Sequence, residues 1–273
     1  EQAWSVRLPY LRDMLRAYDG GRGPHLIGVQ EFRRETFEDL AAQLPGYWYR
    51  WVDRGDGERL AIFARNDRLT IESWDHRNVS NGARDGSCGW FDAEDPNNRP
   101  IQMVRVRDKQ SGRRLAFYNT HYPSKNSCER HGMANIFADY IAQTKGSARV
   151  IVAGDLNDGV ESNGRFNGSF QRLLNRTGLS IAYAQSHPLN SSSTFITGNK
   201  WDKDRRHGRM IDHILVSNPS AVVYSAVDRA MFTSSGRRVW CNYVSSSGYC
   251  GSYRANDLRL YSDHWAIYAY LQP

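Results

Sequence analysis

The chain has 273 residues, 40% hydrophobic and 24% charged, and it carries no apolar run near the ~18 residues that a membrane-spanning helix needs. A soluble globular chain is expected, and at this length one domain buries roughly three quarters of its unfolded surface without help from staples. Thirty-six Lys and Arg against 29 Asp and Glu leave a net charge of +7. That surplus suits a polyanion or an anionic membrane surface, although a merely solubilising role fits it equally.

In chain order, Leu8, Leu11, Leu15 and Tyr18 share one helical face that ends at the Gly20-Gly21 and Gly23-Pro24 breakers. A buried strand is expected over 26–30, ending in Glu31, followed by a short helix near 36–44. Aromatic-rich strands follow over 47–52, 60–64 and 69–74, then a polar loop over 78–99 that contains Cys88. Strands over 101–106 and 114–120 are separated by Ser111-Gly112, and Met133, Ile136, Phe137, Tyr140 and Ile141 mark a second helical face. The β-branched run Val150-Ile151-Val152 breaks at Gly154-Asp155-Leu156-Asn157, which delivers two oxygen ligands to a strand end. Further strands are expected over 210–216, 222–226, 239–243 and 265–271. No repeat or composition shift marks a linker, so residues 1–273 are read as one domain.

The four cysteines are an even number. Cys241 and Cys250 bracket a polar stretch that looks like a hairpin tip, which pairs them and leaves Cys88 with Cys128 by elimination. Such bridges imply an oxidising compartment and hence secretion. Four unrelated thiols in a cytosolic chain remain an open reading, and a zinc site is disfavoured because no Cys-x-x-Cys or nearby His pair is present. No basic-then-apolar leader follows Glu1, so export rests on the cysteines alone.

Five strand ends carry polar residues in a definite order: Gln30-Glu31, Asn119-Thr120-His121, Gly154-Asp155-x-Asn157, Asp212-His213 and Ser262-Asp263-His264. Each tripeptide is weak alone, and Glu31 by itself reads as an acid near a helix start. Joint occurrence is specific. The ordered set resembles the endonuclease/exonuclease/phosphatase superfamily and, within it, the deoxyribonuclease I family, from about Leu8 to the C-terminus. Glu58, before an apolar strand, resembles the acid that orients that family's catalytic histidine, and Arg33 and Arg99 resemble its phosphate-contacting arginines.

The resemblance implies a four-layer α/β/β/α sandwich of two mixed sheets, acting as a monomeric catalytic domain. It also implies a metal held by Glu31, Asp155, Asn157 and Asp263, whose hard oxygens suit Mg²⁺, Mn²⁺ or Ca²⁺. His264, oriented by Asp212, would take a proton from water, and His121, oriented by Glu58, would stabilise the leaving oxygen. Arg33, Arg99 and Asn157 would contact substrate phosphate. The expected activity is hydrolysis of DNA, with RNA as a further substrate. His213 is expected on the opposite strand face from Asp212, and Asp158 as a turn cap. The family's leading strand, which ends in Asn, has no counterpart after Glu1, so a preceding segment is expected.

Two other readings stand beside this one. A sphingomyelinase-like phospholipase C would use the same acids and place Trp240, Tyr243, Tyr249 and Tyr253 in a bilayer interface. A catalytically inactive module would keep the fold and bind polyanions through charge alone.

Overall fold

Alternate side chains of the strand Arg114–His121 part company: Ala116 and Tyr118 enter one hydrophobic cluster, while Phe117 enters another. Period-two alternation sorts residues this way wherever a sheet is covered on both faces. The computed structural model describes residues 3–79, 99–124, 127–160, 168–187, 210–228, 230–232, 238–240, 249–250, 253–254 and 266–272.

The first half runs α1 (Trp4–Arg16), β1 (Leu26–Arg33), α2 (Arg34–Ala42), β2 (Tyr47–Asp53), β3 (Glu58–Arg65), β4 (Leu69–Val79), β5 (Arg99–Asp108) and β6 (Arg114–His121). The second half runs α3 (Ser127–Thr144), β7 (Arg149–Val160), α4 (Gly168–Thr177), β8 (Ser180–Ile181), β9 (Met210–Val216) and β10 (Val222–Asp228). Short strands β11 (Ala230–Phe232), β12 (Arg238–Trp240), β13 (Tyr249–Cys250) and β14 (Tyr253–Arg254) precede β15 (Ala266–Leu271).

The larger sheet has the order β4-β5-β6-β7-β9-β8 and is mixed, because β6 and β7 run parallel. A parallel pair needs a long crossover, and α3 supplies it. The described strands of the smaller sheet, β1-β3-β2, run antiparallel, and β10 with β15 forms a further antiparallel ladder.

Three clusters separate four layers. Tyr10, Met14, Phe37 and Leu40 of α1 and α2 pack on Ile27, Ala61 and Phe63 of the smaller sheet. Ile62 and Ala64 meet Val104, Val106, Phe117 and Ile151 between the sheets. Met133, Phe137, Ile141, Phe170 and Leu173 of α3 and α4 cover Tyr118, Val150 and Val152 on the far side. Each fully buried Phe or Leu contributes roughly 1.5–3 kcal/mol, so the stacking of sheet on sheet and helix on sheet is what holds the strand ends together.

Helix α1 starts four residues earlier than the periodicity suggests and runs through Pro9. Helix α4 was not anticipated at all. Cys128, near the start of α3, is disulfide-bonded; Cys88 and Cys241 lie outside the described residues, and with them the expected pairing. Most of the loop expected over 78–99 lies outside them too, although β4 continues to Val79. Among the described residues, no helix is long and apolar enough to cross a membrane.

Candidate active site

Two strand bulges shape the site. The β1–β3 ladder is regular to Val29↔Ala61 and resumes at Phe32↔Arg59, so β1 carries one residue more than its partner. Strict alternation would turn Glu31 to the face of Val29, beneath the helices. The extra residue instead holds Glu31 at φ 60, returns Phe32 to the helix-covered cluster and frees the acid to reach across the cleft. On β7 the ladder with β9 jumps from Asp155↔Asp212 to Val160↔Met210, and Asn157 within that irregularity has φ 46. Left-handed backbone at a non-glycine residue costs on the order of 1–3 kcal/mol and gathers at functional sites.

The parallel register sets His121 beside Asp155. His121 Nε2 lies 3.7 Å from Glu31 Oε1, 3.6 Å from Asp155 Oδ2 and 3.1 Å from Asn157 Nδ2. Asn157 also donates from Nδ2 to the Tyr122 carbonyl at 2.8 Å, and its backbone N–H donates to Asp155 Oδ1 at 2.7 Å. His121 and Asp155 are buried, while Glu31 is half exposed at the rim. The sequence-predicted Glu31, His121, Asp155 and Asn157 are therefore brought together from β1, β6 and β7. Asp212 is buried and stands opposite Asp155.

Glu58 is close by, since one ligand atom each from Glu31, Glu58 and His121 falls within 4.8 Å of the others. Arg54 Nη1 lies 3.4 Å from His121 Nδ1. The same Nη1 donates to Glu58 Oε2, and Nη2 lies 3.0 Å from Asp56 Oδ2. Arg54 is buried, and sequence reading missed it because Arg-Gly-Asp-Gly looks like a solvated turn. Arg33 is exposed and pairs with Glu58 in the ladder, and Arg99 is buried as the first residue of β5. Both sit at the His121 end of their sheets. Asp263 and His264 lie outside the described residues.

Asp158 faces elsewhere: it is buried, accepts the Gly159 N–H at 3.1 Å and lies 3.8 Å from Arg130. Burial, reinforced by Asp158, holds the neighbouring Tyr122 phenol well above its ordinary pKa. His213 is buried on the helix side, stacked on Phe170, and burial pulls its pKa down to about 4. Alternation along β9 thus separates Asp212 from His213 as expected.

Among the described residues Glu31, Glu58 and His121 form a group that could hold a metal ion. Asp155 adds a carboxylate and Asn157 an amide oxygen on the other side of His121 Nε2, and such oxygens suit a hard divalent cation.

A model of the endonuclease/exonuclease/phosphatase family matches residues 2–264. The chain belongs to that family. Its members are phosphoesterases, which is the chemistry such acids and imidazoles serve. No curated protein matches the chain. Among solved structures, a family protein from Bacteroides thetaiotaomicron is 23% identical with a TM-score of 0.72, over 98% of this chain and 89% of that one. A mannosyl-6-phosphatase of the same organism is 23% identical with a TM-score of 0.67, over 97% and 90%. TDP2 from D. rerio, in complex with a single-strand DNA product, is 17% identical with a TM-score of 0.60, over 97% and 91%. At these identities the likeness to the solved structures is one of fold alone.

Proposed function

We propose that this family member is a secreted, monomeric, divalent-metal-dependent nuclease that hydrolyses phosphodiester bonds of DNA. The observation that carries the reading is the convergence of Glu31 and Asp155 within 3.7 Å of His121 Nε2. Arg33 and Arg99 at the same end, with a net charge of +7, favour a phosphate-rich polymer over a small neutral substrate. The disulfide at Cys128 favours an oxidising compartment.

When bound, Mg²⁺, Mn²⁺ or Ca²⁺ supplies positive charge to the phosphoryl oxygens and a more acidic water. Glu31, Asp155, Asn157 and Asp263 would hold it. In the role that the family resemblance implies, His264 with Asp212 would take the proton of the attacking water. His121 faces the leaving oxygen, with Arg54 Nη1 at its Nδ1; a guanidinium only donates, so the ring proton is kept on Nε2. Arg33 and Arg99 draw the backbone into the cleft.

Plasmid cleavage with Mg²⁺ tests this. Activity is expected to stop with EDTA, to return with added metal, and to fall about 100-fold or more in His121→Ala. Intact plasmid beside phosphate release from a sugar phosphate, or phosphocholine release from sphingomyelin vesicles, would overturn the nuclease assignment.

A further inference from the structure

Asn119 is fully buried between the sheets, two residues before His121. Its Nδ2 donates to the carbonyls of Val29 and Ala61, at 3.0 Å each. Those two residues form the last regular rung of the β1–β3 ladder before the bulge at Glu31. Its Oδ1 accepts from Gln30 Nε2 at 2.5 Å. Gly28 lets β1 come this close, because a Cβ there would lie 2.8 Å from Asn119 Oδ1. Gln102, also fully buried, backs the amide at 3.5 Å and donates to the Arg50 carbonyl at 3.3 Å.

We propose that Asn119 is the positioning residue for Glu31. The amide grips the rung before the bulge and the side chain of Gln30 inside it. Residues 29 and 30 are thereby fixed, and the one-residue excess must be taken up at residue 31, the position that needs left-handed backbone. Without that grip the excess is free to migrate along β1, and alternation returns the acid to the helix-covered face. The large sheet thus sets the reach of an acid that belongs to the small one, from a site two residues before the imidazole that acid must meet. A buried amide with its bonds satisfied specifies a single arrangement, which an apolar side chain of that size does not. This inference rests on the metal-site reading above, and the test separates the two.

Mn²⁺ binding is measured by calorimetry on the full chain, with thermal unfolding recorded in EDTA. Gln30→Met keeps the bulk and removes one amide. It is expected to weaken Mn²⁺ binding about tenfold, the effect typical of groups that orient a ligand, while lowering the EDTA melt less than Asn119→Ala does, since one acceptor loses its donor. Asn119→Ala is expected to weaken binding further and to lower the melt. In a Glu31→Gln background, Gln30→Met is expected to cost no additional affinity, since the amide acts through that acid. Unchanged Mn²⁺ affinity in Gln30→Met overturns the proposal, and so does an equal loss with and without Glu31. A wild-type chain that binds no divalent ion overturns the metal site and this proposal together.

Discussion

Asp155 and Asp212 stand opposite one another in the β7–β9 ladder, and both are more than nine-tenths buried. Antiparallel partners share a face, and Asp155 Oδ2 also lies 3.6 Å from His121 Nε2. Asp155→Asn removes one charge and keeps an oxygen for the Asn157 N–H. The stabilisation by added Mg²⁺ and the cleavage activity are expected to disappear. Thermal melts with and without Mg²⁺ check the first, and plasmid cleavage checks the second.

His213 carries an acid sensitivity unrelated to catalysis. Its folded pKa is about 4, against about 6.5 in an unfolded chain. Between those values the unfolded chain takes up a proton that the folded chain refuses. The stability present above pH 6.5 is therefore lost as the pH falls toward 4, by about 3 kcal/mol. Urea unfolding at pH 7 and pH 4 is expected to differ less in His213→Leu than in the wild type, and an identical difference would rule out this histidine as the source.

Gly154 is needed for space. A Cβ there would run into the carbonyl oxygen of Thr120 on the adjacent parallel strand, whereas one at Gly46 meets nothing within 4 Å. Gly154→Ala is expected to cost about 3 kcal/mol and to reduce cleavage, because the next rung is His121 with Asp155. Gly46→Ala is expected to stay within about 0.5 kcal/mol of wild type. Chemical denaturation of the two variants measures the contrast.

Arg33 is exposed beside the cleft and contacts substrate only through phosphate in this reading. Arg33→Ala is expected to weaken DNA binding uniformly across sequences and to reduce the salt slope of the binding constant by about 1, with kcat little changed. Fluorescence anisotropy at several salt concentrations gives the slope.

Much of this was legible in residue order. The run into Gly154-Asp155-Leu156-Asn157 predicts a strand that breaks there; β7 instead continues to Val160, and what breaks after Asp155 is its register with β9. Asn119 to His121 close β6 and Asp212 lies on β9, as residue order predicts. Alternation also predicts that His213 turns away from Asp212. Helix α4 was hidden because Phe170, Leu173 and Leu174 are its only apolar residues, and its stripe has meaning only against α3 and His213. Pro9 masked the start of α1, although a proline early in a helix sacrifices little hydrogen bonding. Arg54 was invisible because its role depends on His121, 67 residues away. The bulges escaped for a similar reason, since an extra residue in β1 can be recognised only by counting against β3.

Glu31 rides on one sheet and His121 on the other, 90 residues further along the chain. The pair exists only after both sheets have docked, an event that depends on contacts distant in sequence and therefore comes late in folding. A nascent or half-collapsed polypeptide holds neither the acid nor the imidazole in place. The same dependence means that a solvent or substitution that loosens the docking silences the chemistry while each sheet still keeps its own ladder.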